Sequence, residues 1–401
     1  MTTTSANPAP QPESRTVHTP ASEVHGSRPV GVPIHQNHTF TFDSAEDMAA
    51  AFTGPDGAYL YARFGNPTTS ALETAVADLE GGAAALASAS GMGAITSTVG
   101  ALVGTGDHVV AQNCLYGGTL AFLADLERRW GVEVTRVSGE DPDEVRAALR
   151  PNTRVMVLET ITNPTVRVVD LSALLGIARE AGVTSVVDNT FATPMLCRPL
   201  EHGADVVIHS ATKYLGGHSD AMGGVAVFAD SRTHGAVREH SVESGATLDP
   251  FAAWLTIRGM QTLALRVRAQ CANAQALAER LSARPEVAAV HYPGLDTHPS
   301  RETARRVLPG GCGGVLAFEL AGGKVAGEAF AGALRLCVLA PSLGDVKTLV
   351  MHPASTSHRQ LGSEELAEAG ITPGLIRISV GIEQLDDLWG DIERALEAAA
   401  G

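Results

Sequence analysis

At 401 residues, with 44% hydrophobic and 18% charged side chains, the chain has a globular composition and is too long for one ordinary core, so two domains plus a tail are expected. A formal charge of −15 repels phosphate and argues against nucleic acid or an anionic membrane as partner, and no apolar run reaches the roughly eighteen residues of a membrane span. Cys114, Cys197, Cys271, Cys312 and Cys337 are odd in number and form no CxxC pair, which argues against a disulfide framework or metal site and fits a reducing cytoplasm.

The first sixty residues read as an N-terminal arm, mobile over 1–28, where Thr, Ser, Pro and Ala dominate without an apolar signal segment. PIHQNHTF brings in His35 and His38, for which a surface or interface position is the commoner outcome. The loop LYARFGNPTT carries Tyr61 and Arg63. A guanidinium suits forked contact with phosphate oxygens, although an exposed loop arginine often does nothing special.

From about residue 70 to 230, β-branched runs alternate with helical patterns, at Asp107 to Ala111, Val132 to Val137, Arg154 to Leu158, Thr184 to Val187 and Asp205 to Ile208. Such alternation predicts α/β architecture, a mostly parallel sheet covered by helices over residues 61–255. Polar residues follow the strand ends: Ser90, Glu159, Asp188 and His209 to Lys213. Sites in such sheets form at the strands' carboxyl ends, so these segments are expected to converge. One long helix is predicted from Pro250 through Arg280, leading into a smaller α+β unit over 256–401 with strands at Val287 to His291 and Gly314 to Leu320. Ala395 to Ala400 reads as the end of a surface helix.

Within HSATKYLGGHSD, Lys213 follows a strand end and precedes a Gly-Gly turn. A lysine beside a crevice can lose its proton and attack a carbonyl, though taken singly such a lysine is usually a solvated cation. A heterocyclic cofactor with a protonated ring nitrogen needs a carboxylate, and Asp188 in VVDNTFATP suits that role. Its alternative is an Asp that caps a turn with Asn189 and Thr190. SASGMGAI offers clustered N–H donors for an anion, with Gly91, Met92 and Gly93 opening a helix. It is not a dinucleotide fingerprint, because GxGxxG needs glycine where Thr96 stands. Ser210 and Thr212 add hydroxyl donors. Tyr116 in LYGGT is either a stacking ring or a core tyrosine. Arg377 in GLIRISVGIE is either a bidentate carboxylate clamp or an edge-strand surface charge.

Together, YARFGNPT, SGMGAI, LYGGT, ETITNPT, VVDNTFATP, DVVIHSATKYLGGHSD, SLGD, HPAST and GLIRISVGIE resemble, in order, the Cys/Met-metabolism family of pyridoxal-phosphate (PLP) enzymes. That family includes cystathionine γ-synthase, cystathionine γ-lyase, methionine γ-lyase and O-acetylhomoserine sulfhydrylase. The resemblance implies fold type I, with a swapped arm, a large domain built on a seven-stranded-type sheet and a smaller α+β domain. It implies a homotetramer of two catalytic dimers, in which Tyr61 and Arg63 reach the neighbour's cofactor phosphate. Within one chain, Gly91, Met92, Ser210 and Thr212 would hold the phosphate of pyridoxal 5'-phosphate. Tyr116 would stack on the ring, Asp188 meet its nitrogen, Asn163 its hydroxyl side, and Glu159 support that network. Lys213 would carry the cofactor as a Schiff base and move protons, Tyr116 would be the acid for the leaving group, and Ser342 and Arg377 would hold the substrate carboxylate.

The implied reaction is γ-elimination on a small amino acid, releasing ammonia and a 2-oxo acid or forming an unsaturated amino acid. The alternative is γ-replacement by a thiol on an O-acylated homoserine, and a third reading is a PLP-binding regulator without turnover. Pro341 stands where cystathionine-processing relatives carry a glutamate, which disfavours long diamino diacids. Gly118 replaces the cysteine of methionine γ-lyases, and Ser241 and Val242 their Lys-Asp pair, which disfavours methionine. The C-terminal run DVKTLVMHPASTSHRQL is closer to the sulfhydrylases, whereas SGMGAITSTVGAL and LAFL are closer to methionine γ-lyase.

Overall fold

A computed structural model describes residues 10–20, 26–53, 58–356 and 371–400. The expected alternation forms β1 (Ala84–Ser88), β2 (His108–Gln112), β3 (Glu133–Val137), β4 (Thr153–Glu159), β5 (Thr184–Asp188), β6 (Val206–His209) and β7 (Gly224–Phe228). They make one seven-stranded sheet in the order β1-β7-β6-β5-β4-β2-β3. β2 to β6 pair in parallel, and β7 runs antiparallel to both its neighbours. Most sequence-predicted strands lie within a residue of those observed.

The near-continuous Val/Ile composition follows from burial on both faces. Val110, Met156, Leu158, Val187 and Val207 enter one core, while their neighbours Val109, Val155, Val157, Val186 and Val206 enter another. Helices Pro67–Glu80 and Leu171–Glu180 cover the first face, and Gly91–Leu102 and Ser231–Ser244 the second.

The single helix expected over 250–280 is two, Pro250–Met260 and Leu263–Ser282. The first helix is tightly packed just before the break. A Cβ at Gly259 would lie 2.0 Å from the carbonyl oxygen of Gly216, so the first helix presses bare backbone against the loop after Lys213. Arg266, from the second helix, donates to the Gly259 carbonyl at 2.9 Å and to Thr262 Oγ1 at 3.0 Å, satisfying groups that the break exposes.

A second sheet contains β8 (Val287–His291), β9 (Val315–Leu320), β10 (Val338–Leu339), β11 (Leu349–Met351) and β12 (Leu375–Ser379), in the order β10-β11-β12-β9-β8. Leu316, Phe318, Ile376 and Ile378 pack on helices Leu263–Ser282, Gly323–Ala333 and Leu385–Ala400. The last helix is not the surface element expected: Ala395 and Leu396 are fully buried in this core. Arg377 and Ser379 alternate with those apolar residues and project from the opposite face.

Two segments are laced at the junction of the sheets. Val346 N donates to Gly217 O at 3.0 Å, Ser219 Oγ to Asp345 Oδ2 at 2.5 Å, and Gln270 Nε2 to Asp345 O at 2.8 Å. Within the segment expected to be a mobile arm, Pro12–Val17 form a short helix with Thr16 buried and Arg15 paired to Asp78. Residues 1–9, 21–25 and the Ser357 to Leu361 end of the sulfhydrylase-like run lie outside the described residues.

Candidate active site

β1 is antiparallel to β7, which is antiparallel to β6, so β1 points the same way as the parallel strands. The carboxyl ends of β1, β2, β4, β5 and β6 therefore share one edge, and the loops there enclose a cavity of about 280 Å³. Gly91, Met92, Tyr116, Glu159, Asn163 and Asp188 line it from the large sheet's edge, with Ser210, Thr212 and Lys213 from the loop after β6 and Ser342 and Arg377 from the second sheet's side. Tyr61 and Arg63 are not among them. They border separate cavities, with Arg63 bonded to the Val242 carbonyl at 2.8 Å and the Tyr61 ring edge-on to His38 at 5.8 Å. His35 is held by backbone bonds, its N–H donating to Thr68 Oγ1 at 2.9 Å.

Lys213 sits in a tight turn. Its N–H donates to Ser210 O, its carbonyl accepts from Gly217 N at 2.7 Å, and Thr212 Oγ1 exchanges bonds with Gly223. Nζ donates to Ser342 Oγ at 3.0 Å. Burial, and then the charge of Arg377, hold its ammonium below the usual lysine range, which favours the neutral amine.

Asp188 answers to both readings of the sequence. Its Oδ1 accepts from Thr190 N at 2.9 Å, as in an Asx turn, and the side chain also lines the cavity. Burial raises its pKa against the opposing Thr190 bonds and the nearby His209. Among the described residues it forms no ion pair, so a cation brought into the cavity would find an uncompensated partner.

Arg377 is not an edge-strand surface charge. β12 lies between β11 and β9, and Arg377 is 4% exposed. Nη1 donates to Asn163 Oδ1 at 3.0 Å and Nη2 to Ser342 O at 2.9 Å, while Nε is buried without a partner. Burial holds its pKa down, to about 10. A buried guanidinium with no carboxylate beside it is a seat for an anion.

Tyr116 is not a core tyrosine, being 51% exposed at the cavity rim. Its ring lies against Gly118, where a Cβ would come within 2.6 Å of the ring and 2.9 Å of Met92 Sδ. Beside it, Ser90 caps the helix Gly91–Leu102 by accepting from Gly93 N at 2.9 Å. A Cβ at Gly91 would lie 2.7 Å from Ser210 Cβ, so only glycine lets the helix N-terminus and the Ser210 to Thr212 hydroxyls approach so closely.

The profile of the family described as Cys/Met metabolism PLP-dependent enzyme matches residues 13–397. The chain belongs to this family. The L-methionine gamma-lyase of Porphyromonas gingivalis is 45% identical over 374 residues, covering 92% of this chain and 93% of the relative. The O-succinylhomoserine sulfhydrylase of Pseudomonas aeruginosa is 41% identical over 368 residues, covering 92% and 91%. The crystal structure of cystathionine gamma synthase from Xanthomonas oryzae pv. oryzae, in complex with aminoacrylate and cysteine, superposes with a TM-score of 0.91 at 37% identity over 98% of this chain and 99% of that one.

A member of the Cys/Met metabolism family is a PLP-dependent enzyme of fold type I that takes a small amino acid, and the cavity fits both. Its lysine has no carboxylate partner among the described residues, its aspartate no cation, its arginine no anion, and a cradle that a Cβ would fill sits at a helix N-terminus. No helix among the described residues is long and apolar enough to cross a membrane, and none of their His, Cys, Asp and Glu cluster as a metal site. The sequence reading missed Thr190, whose Oγ1 accepts from Ser210 N at 2.8 Å and ties two cavity loops together, and also Ile161, Phe191, Met222 and Leu343. Thr190 stood in the quoted VVDNTFATP run, where only its backbone turn was considered.

Proposed function

We propose that this enzyme catalyses γ-elimination on a small amino acid carrying a leaving group at Cγ, releasing ammonia and a 2-oxo acid. The observation that carries the proposal is Lys213 Nζ and Arg377 meeting at Ser342, one through Oγ and the other through the carbonyl. A substrate whose carboxylate is held at Arg377 is thereby placed with its α-carbon beside the amine.

Pyridoxal 5'-phosphate, when bound, supplies an aldehyde for the substrate amine and a ring that accepts the electron pair left at the α-carbon. Lys213, its pKa lowered by burial and by Arg377, would take the α-proton and then a β-proton. Asp188 holds a proton at the ring nitrogen. Gly91, Met92, Ser210 and Thr212 would hold the phosphate, Tyr116 would cover the ring, and Asn163, its Oδ1 occupied by Arg377, would have its amide N–H free for the ring hydroxyl. The Tyr116 hydroxyl gives a proton to the departing group. Arg377 and Ser342 grip the carboxylate throughout.

The site is completed by a second copy of the chain. Tyr61 and Arg63 are exposed or half-buried, away from their own chain's cavity, as expected of groups that serve the neighbour's phosphate in a cytoplasmic homotetramer of catalytic dimers. In this reading residues 1–60 are the exchanged arm, 61–255 the cofactor domain and 256–401 the small domain. Pro341, lining the cavity, offers neither charge nor N–H to a distal amino group, and Gly118 brings no thiol beside Tyr116; both turn the substrate away from cystathionine and methionine. The second reading, γ-replacement on an O-acylated homoserine, is favoured by the sulfhydrylase likeness. Purified enzyme incubated with S-substituted homocysteines and O-acylhomoserines, with and without thiol, separates the two. Ammonia released without thiol supports elimination, and a new thioether formed with ammonia absent overturns it.

A further inference from the structure

β4 and β5 end side by side, and Glu159 is the register partner of Asp188. Partnered residues of a parallel pair project from the same face, and both side chains line the cavity. The family resemblance leaves Glu159 with only a supporting part, yet its surroundings are specific. It is 5% exposed, Oε1 accepts from Tyr116 N at 2.6 Å, and Oε2 is buried with no hydrogen-bond partner. Among the described residues no Lys, Arg or His forms an ion pair with it.

Every neighbouring element brings a group to bear. β2 supplies Gln112, whose Oε1 accepts from Glu159 N at 3.1 Å, and the loop after β2 supplies Cys114 and Tyr116. β5 supplies Asp188, the loop after β6 Lys213 and β12 Arg377, these three on the same cavity. Both cations are spent elsewhere, Lys213 on Ser342 and Arg377 on Asn163 and Ser342. An ionised Glu159 would thus hold a bare oxygen in a desolvated site beside a second carboxylate, and two such neighbours do not both ionise.

We infer that Glu159 works as a neutral carboxylic acid, with Oε1 the carbonyl that holds the Tyr116 amide and Oε2 the protonated oxygen, so that Asp188 alone of the pair carries charge. The assignment follows the donors: N–H groups seek the carbonyl oxygen, and the oxygen without a donor is the one left to bear hydrogen. Burial, followed by the charge of Asp188, pushes the carboxyl well above the usual range, outweighing the Tyr116 amide bonded to Oε1 and the Asn163 amide, which faces the carboxyl but lies too far or too askew for a hydrogen bond. Glu159 is then a positioning residue. It fixes the backbone from which the Tyr116 ring projects, and it leaves the ring-nitrogen site a single negative charge in place of two.

The inference rests on the cofactor reading of Asp188, but its test reads the proton itself. In the infrared difference between wild-type and Glu159→Gln holoenzyme at neutral pH, the wild type should show a protonated-carboxyl C=O stretch that the variant lacks. Loss of a carboxylate band in its place overturns the inference. Thermal unfolding adds a sign. An acid neutral when folded but ionised when unfolded costs stability as pH rises above about 4.3, so the variant's melting temperature should gain on the wild type's as pH rises from there to neutrality; a constant or shrinking margin refutes it. Should the variant not fold, wild-type protein held at neutral pH must keep a protonated-carboxyl band, and loss of every such band overturns the claim. An inactive enzyme that retains the band would sink the proposed reaction and leave this inference standing.

Discussion

Replacing Arg377 by lysine keeps the charge and removes the fork. The guanidinium spans two acceptors on different segments, Asn163 Oδ1 at 3.0 Å and Ser342 O at 2.9 Å, with Nε left over. An ammonium on a flexible stem cannot satisfy both acceptors and a substrate carboxylate at once. The loss of one charge-assisted hydrogen bond in a buried site is worth about 1.5–3 kcal/mol, which converts to roughly a 10- to 150-fold fall in kcat/KM. Because the clamp acts on bound and reacting substrate alike, the loss should appear mainly as a raised KM. Steady-state kinetics of Arg377→Lys, with the cofactor absorbance recorded alongside to confirm normal loading, measures this. A KM equal to that of the wild type, or a defect confined to cofactor binding, would refute the assignment of Arg377 to the substrate.

Two further outcomes are expected away from the reacting atoms. Glu80, wholly buried, accepts from His209 Nε2 at 2.6 Å and Asn189 Nδ2 at 3.0 Å beneath the residues that flank Asp188; Glu80→Ala strands both donors and should cost about 3–5 kcal/mol in denaturant unfolding, with a loss under about 1 kcal/mol showing the network to be slack. His298, whose Nδ1 accepts from Ser300 N at 3.2 Å, is held down to about 4 by burial and then by the charges of Arg167 and His291. The unfolded chain therefore takes up a proton that the folded chain refuses, and the resulting stability is lost as pH falls from about 6.5 towards 4. The acid-side drop in melting temperature should be smaller in His298→Gln, and an unchanged pH profile would refute this.

Much of this was legible in the sequence because it is local. Val/Ile runs of strand length, buried on two faces, announce a parallel sheet, and a lysine, an aspartate and a glycine-opened helix at strand ends announce a crevice on one edge. What escaped was tertiary. The two helices around Met260 are packed through Gly259 meeting the Gly216 backbone, a contact between segments over forty residues apart that no helical periodicity encodes. Arg377, taken without the family resemblance, looked more like a surface charge than a clamp, because whether a strand is central or at an edge is decided by its neighbours. The Ala-rich terminus looked like a surface helix because alanine suits both exposed helices and tight cores. Tyr61 and Arg63 lie outside the cavity that the other expected residues share, and nothing in the local pattern of LYARFGNPTT sets them apart from those residues.

The lacing between the Lys213 turn and the Asp345 to Lys347 segment limits how this molecule can breathe. With Val346 bonded to Gly217, Ser219 to Asp345 and Lys213 itself to Ser342, the Lys213 turn and the Ser342 to Lys347 segment are tied at three points. Gating by parting the two sheets along that line would break the reactive geometry each time. On the far rim the Tyr116 and Met222 side chains stand 51% and 61% exposed, so that side of the cavity is lined by groups that can swing without disturbing those ties.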